Sequence, residues 1–144
     1  WRRQGAPRIH CVNNLKNVGL AFRIFATDNE GRYPYQIDEA AGGTKSTRMA
    51  PSDLWKQYLV LSNELTVPRL LVCPEDLHRP PAPAWAAFTN RQQISYHLGV
   101  ETPANRPELV LSGDRNLSLS GAPLEAVTVT LDADSRISFD PRLH

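Results

Sequence analysis

The segment that most constrains the fold of this chain is residues 8–34, RIHCVNNLKNVGLAFRIFATDNEGRYP. With about 100° per residue, a helix through this segment places one apolar stripe within about 40° of Cys11. The stripe consists of Leu15, Val18, Phe22 and Phe25. Such a stripe predicts an amphipathic helix that packs on the rest of its domain.

The same helix carries a second apolar set near its opposite side. This set consists of Ile9, Leu20 and Ile24. The helix is therefore predicted either to be covered on both sides or to expose a few ordinary aliphatic side chains, which are common on protein surfaces. It is expected to end at TDNEGRYP, because Gly31 tolerates a positive φ and Pro34 cannot continue a helix.

The charge of the first segment is one-sided. Residues 1–27 contain no acidic side chain, although the whole chain has a net charge of only +1. The basic residues there are Arg2, Arg3, Arg8, Lys16 and Arg23. This distribution indicates either a solvated basic helix or a segment that contacts an anionic surface or an acidic neighbouring subunit.

The remaining pattern indicates an α+β fold in a single domain, residues 1–144. The first helix occupies 1–28, and 29–93 holds a second helix, a short strand and loops. Antiparallel strands are expected in 94–144. The second helix is predicted from about Ser52 to Leu65, capped by Ser52 or Asp53, with one apolar face. That face consists of Leu54, Tyr58, Leu61 and Leu65.

Short apolar or alternating runs predict the strands. They are RLLVC (69–73), ISYHLGV (94–100), ELVLS (108–112) and a hairpin of AVTVTL (126–131) with RISF (136–139). In ISYHLGV, Ser95 and His97 are expected on the solvent side. Residues 36–50 are predicted to form a loop with Gly42-Gly43 at its flexible point.

The sequence carries no motif for phosphate or dinucleotide binding and no nucleophile elbow. The four histidines lack metal-ligand spacing, and no aromatic residues interleave with a basic run. We therefore expect no catalysis, no cofactor and no nucleic-acid partner. LDADSR (131–136) faintly resembles a calcium loop, but Ile137 stands where glycine is needed. A hairpin turn is favoured there, and calcium binding stays an alternative.

The two cysteines, Cys11 and Cys73, are too few for a structural zinc site. They are either two buried thiols or a disulfide. A disulfide is favoured, because a proline-rich chain with many loops gains about 4 kcal/mol from closing a loop of this length. It would place the protein in an oxidising compartment.

Several segments occur in a fixed order between residues 8 and 116: CVNNLKNVGLAFRIF, DNEGRYP, LWKQYLVLSNEL, LLVCPED, ISYHLGV and LVLSGDRN. Together they resemble bacterial type IV pilin-like proteins. The closest resemblance is to the prepilin-type cleavage/methylation-domain family and the major, G-type pseudopilins of type II secretion. The resemblance implies a long N-terminal helix whose second half packs on an antiparallel sheet. It also implies that Cys11 and Cys73 pair.

In that family an apolar first half of the helix anchors the precursor in the inner membrane, where prepilin peptidase cleaves and methylates it. The present chain would begin at the second half and would be part of a longer protein. The resemblance implies a non-catalytic filament subunit, located in the periplasm or in an extracellular filament. Its partners would be other copies of itself and other pseudopilins.

The helix side that is free to meet those partners would comprise Ile9, Lys16, Leu20, Arg23 and Ile24. An alternative function is a minor-pilin-like adhesin or substrate-binding module that uses the proline-rich residues 74–88 and Trp85.

Overall fold

The computed structural model describes residues 6–48, 50–100, 112–114, 117–119, 122–123 and 137–139. The α-helices are α1 (Ala6–Asp28), α2 (Leu54–Leu59) and α3 (Ser62–Leu65). The strands are β1 (Tyr96–Leu98), β2 (Ser112–Asp114), β3 (Leu117–Leu119), β4 (Ala122–Pro123) and β5 (Ile137–Phe139). Short 3₁₀ turns connect the helical elements. The α+β class expected from the sequence is confirmed at this level.

Helix α1 forms as the periodicity predicts and ends where the turn residues indicate. Gly31 has a φ of +77°, and its backbone N–H donates to the carbonyl of Ala26 at 2.7 Å. The side chain of Asn29 donates to the carbonyl of Phe25 at 2.8 Å. These bonds satisfy carbonyls that the end of a helix leaves without partners.

The predicted stripe of α1 is the centre of the hydrophobic core. Val18 and Phe22 are completely buried, and Leu15 packs at the edge of the core. The Phe22 ring meets Tyr33 and Tyr58 edge-on, with centroid distances of 5.7 and 5.9 Å. Helix α1 also contacts α3, the turn Pro68–Leu71 and strand β2. This packing fixes which side of α1 faces the domain.

The second helix is interrupted, contrary to the single helix predicted from Ser52 to Leu65. A 3₁₀ turn, Pro51–Asp53, precedes α2, and the chain turns between α2 and α3 where the N–H of Leu61 bonds to the Tyr58 carbonyl at 3.1 Å. Asp53 makes no side-chain cap bond and instead pairs with Lys56 at 3.0 Å. The apolar face was predicted correctly for Tyr58, Leu61 and Leu65, which are all buried, while Leu54 is half-buried.

The strand predicted at 69–73 is wrong. Pro68 opens a 3₁₀ turn, Pro68–Leu71, because proline fixes a φ that suits the first turn of a helix and has no N–H to offer a sheet. The apolar character of the run reflects burial instead, since Leu71 and Cys73 are both 1% exposed or less. The Leu71 carbonyl accepts a bond from the N–H of Ser95 at 2.8 Å.

Strands β1 and β2 form an antiparallel pair in which His97 lies opposite Gly113. A Cβ on Gly113 would lie 2.4 Å from Cε1 of His97, so glycine leaves room for the imidazole. Of the strand predicted at 94–100, only Tyr96–Leu98 is a strand in the structure. Of the strand predicted at 108–112, only Ser112 lies in the described part of the chain, where β2 also includes Gly113 and Asp114.

The second sheet has the order β4-β3-β5, and both pairings are antiparallel. Strand β5 falls within the predicted run 136–139 and pairs with β3. The predicted hairpin partner, 126–131, lies outside the described residues. Ser118 is buried and joins β3 to β5, since its Oγ lies 2.6 Å from Oγ of Ser138.

The two glycines of the predicted loop 36–50 have different surroundings. Gly42 has a φ of +83°, and a Cβ on Gly43 would lie 2.0 Å from the Ile37 carbonyl oxygen. The N–H of Lys45 donates to that carbonyl at 3.0 Å, and Thr44 and Gln57 share a buried side-chain hydrogen bond. Gly43 is thus closely packed and leaves no room for a side chain, whereas Gly42 is exposed.

Candidate assembly surface

The outer side of α1 carries an apolar surface that the domain does not cover. Ile9, Leu20 and Ile24 are 60%, 56% and 41% exposed, and Val12 is 50% exposed. We call these four residues the exposed stripe. The sequence predicted three of them, and the structure adds Val12, which lies between the two stripes on a helical projection. Its apolar character was the available signal.

The core prevents α1 from burying the exposed stripe. Rotation of the helix by half a turn would bring Val18 and Phe22, now completely buried, to the surface. It would also break the edge-on contacts of Phe22 with Tyr33 and Tyr58. Full burial of one large apolar side chain is worth about 1.5–3 kcal/mol, so the observed orientation is strongly preferred.

Two basic side chains accompany the exposed stripe. Lys16 and Arg23 are both exposed, and within the described part of the chain neither forms an ion pair. Burial raises the pKa of Tyr33, and the positive charge of Arg23 opposes that rise. All five residues predicted to contact neighbouring subunits are therefore exposed on α1. They are Ile9, Lys16, Leu20, Arg23 and Ile24.

The two cysteines are joined as Cys11–Cys73, with a sequence separation of 62 and Cα atoms 5.1 Å apart. The predicted disulfide is confirmed. It connects α1 to the segment that follows the Pro68–Leu71 turn. A hydrogen bond from Nδ2 of Asn14 to the Val72 carbonyl, at 3.2 Å, lies beside it.

A surface groove of about 610 Å³ borders the disulfide. His10 and Asn14 of α1 line one part of it, and Arg69, Leu77 and the 79–81 segment line another. At its base Asp76 is buried, accepts a bond from Oγ of Ser95 at 2.9 Å and pairs with Arg79 at 3.6 Å. Ser95, predicted to face solvent, is buried because it serves this carboxylate.

Trp85, predicted as a possible ligand contact of the proline-rich residues 74–88, is held by its own domain. Its ring meets Phe88 edge-on at 5.5 Å, and Nε1 donates to the Thr66 carbonyl at 3.1 Å. The described structure therefore gives Trp85 a packing role that the sequence did not indicate.

Across the described residues, no three or more His, Cys, Asp or Glu side chains gather in a way that would hold a metal ion. The Asp132 and Asp134 positions of the calcium alternative lie outside those residues. Nor does any helix in the described ranges have both the length and the apolar character needed to cross a membrane.

Comparison of the chain with protein-family models, with curated proteins and with solved structures gives no match.

Proposed function

We propose that this protein is a non-catalytic structural subunit of a type II secretion pseudopilus or a type IV pilus-like filament, and that it assembles through α1. The observation that carries this proposal is the exposed stripe. A helix with one side in the core and a second apolar side in solvent is suited to packing between its own domain and a neighbouring subunit.

The geometry of the stripe supports repeated assembly. Ile9 and Ile24 are separated by 15 residues, or about 22 Å along the helix axis at about 1.5 Å per residue. A contact surface of this length lies on one side of the domain only. If it meets a different surface of the next subunit, the contact is heterologous and generates a helical filament instead of a closed dimer.

Lys16 and Arg23 favour an acidic partner surface on the neighbouring subunit. Each exposed ion pair would contribute about 0–1 kcal/mol and would weaken in salt. The basic residues therefore act mainly on orientation and selectivity, and the apolar stripe supplies most of the association energy.

The proposed location is the periplasm or an extracellular filament, with a precursor anchored in the inner membrane and processed by prepilin peptidase. The disulfide supports an oxidising compartment, where such bonds persist. The adhesin alternative is less well supported, because Trp85 already contacts Phe88 and Thr66 within the domain.

The decisive experiment is a double substitution, Leu20→Asp/Ile24→Asp, in the full-length protein expressed in a strain that assembles the filament. Both side chains are more than 40% exposed, so the domain should stay folded. We expect filaments to be lost, since two carboxylates would have to be buried in the subunit interface.

The matched control is Asn63→Asp/Gln92→Asp, which adds the same two charges at exposed positions outside α1. It should leave assembly intact. Normal filament yield and secretion in the Leu20→Asp/Ile24→Asp strain, with the variant present at wild-type level, would refute the proposed interface.

A further inference from the structure

Burial along α1 is uneven. In the second half of the helix five side chains are 9% exposed or less: Val18, Ala21, Phe22, Phe25 and Ala26. Across residues 9–17 only Cys11 is buried, and only Asn14 and Leu15 are half-buried. The hydrophobic core therefore holds the second half, while the first half depends on a few contacts.

Within residues 9–17, Leu15 packs at the edge of the core, and two further contacts reach the neighbouring residues Val72 and Cys73. Cys11 is bonded to Cys73, and Asn14 donates to the carbonyl of Val72. A helix of about 12 residues is marginal in water without tertiary packing. Gly19, at the junction of the two halves, lowers the helical propensity further. The first half of α1 should therefore depend on the disulfide for its docking.

We propose that the Cys11–Cys73 disulfide is a redox-controlled latch. When oxidised, it holds the first half of α1, residues 6–17, against the segment that follows Pro68–Leu71. When reduced, it releases that half, and the second half stays in the core. Ile9 and Val12 lie in the released half, whereas Leu20 and Ile24 lie in the retained half. The oxidised bridge therefore keeps all four residues of the exposed stripe on one docked helix. The importance of this for assembly rests on the proposed function.

The reductant is a dithiol. One of its thiolates attacks a sulfur of the bridge, the Sγ–Sγ bond breaks, and the other cysteine leaves as a thiolate that takes up a proton. The second thiol of the reductant then attacks the mixed disulfide and releases the remaining cysteine. The chain gains two electrons and two protons, and the dithiol becomes a disulfide. Cys73 lines the groove of about 610 Å³, but it is only 1% exposed and Cys11 only 7% exposed. A small dithiol therefore reaches the bridge when the first half of α1 opens locally.

The test is hydrogen–deuterium exchange, followed by mass spectrometry, on the purified protein before and after reduction with dithiothreitol. We expect amides in residues 6–17 to lose their protection, while those in 18–28 keep theirs. The near-ultraviolet circular dichroism of the core aromatic residues should be retained. The variant Cys11→Ser/Cys73→Ser should show the reduced pattern from the outset and should not respond to dithiothreitol.

Two results would overturn the latch. The first is equal loss of protection throughout α1, or loss of the aromatic signal in the reduced protein or the serine variant. Either outcome would show that the bridge stabilises the whole domain and not residues 6–17 alone. Unchanged protection in residues 6–17 would show that the noncovalent contacts suffice.

This experiment is separable from the test of assembly. Exchange is measured on the purified protein and does not require filaments. The Leu20→Asp/Ile24→Asp test leaves the disulfide intact. Local release on reduction, together with filaments that tolerate the double substitution, would support the latch and refute the proposed assembly surface.

Discussion

Two glycine-to-alanine substitutions should change stability in opposite directions. Gly19 lies in the middle of α1, and a Cβ added there has no atom within 4 Å other than its own helix neighbourhood. Alanine therefore fits without strain and removes the helical penalty of glycine, which is about 0.8–1 kcal/mol. We expect Gly19→Ala to raise the free energy of unfolding by about that amount.

The same chemical change at Gly43 meets backbone. The added Cβ would lie 2.0 Å from the carbonyl oxygen of Ile37 and 2.4 Å from its carbonyl carbon. These atoms cannot move without disturbing the bonds around Thr44 and Lys45. Overpacking of this kind costs about 1–3 kcal/mol, and occasionally more. Gly43→Ala should therefore lower the free energy of unfolding by at least about 1 kcal/mol.

The assay is urea unfolding of the disulfide-intact protein at neutral pH, followed by tryptophan fluorescence and far-ultraviolet circular dichroism. The two variants and the wild type should share one slope with denaturant, so that their midpoints report stability directly. A midpoint for Gly19→Ala below that of the wild type would refute the helical environment assigned to α1. A Gly43→Ala midpoint equal to the wild-type value would refute the close packing of Gly43 against Ile37.

Two further predictions concern buried polar groups. Burial raises the pKa of Tyr58 above its ordinary value of 10.0. The stability contributed by its neutral form is fully present below pH 10 and is lost as the pH rises further. Tyr58→Phe should therefore flatten the alkaline loss of stability measured by urea unfolding between pH 8 and about 11; an unchanged alkaline slope would contradict this. Asp76→Asn should cost about 3 kcal/mol, because Ser95 and Arg79 lose a buried carboxylate. The exposed control Glu75→Gln should stay within about 0.5 kcal/mol, and equal effects of the two changes would argue against the role of Asp76.

Local periodicity accounts for what could be predicted. The extent of α1, its buried stripe and the apolar set on its opposite side follow from spacing within one segment. The same is true of the buried face of the second helix. The disulfide was favoured from the residue types alone, and the structure confirmed it.

The errors arise where distant parts of the chain meet. The alternating pattern predicted that Ser95 faces solvent. In the structure Ser95 is buried, and its hydroxyl donates a hydrogen bond to the carboxylate of Asp76, 19 residues away in sequence. Gly43 looked flexible in sequence and is confined by Ile37. The run at 69–73 is apolar enough for a strand, yet Pro68 starts a turn and the core takes up the side chains.

The sequence by itself determined that residues 8–28 form a helix with two apolar sides and a basic character, because these properties depend only on residue type and spacing. Only the tertiary structure decided that Ser95 is buried beside Asp76, that Gly43 is confined by Ile37 and that the second helix is interrupted. The physical reason is that burial depends on contacts between residues far apart in sequence, and no local pattern specifies those contacts.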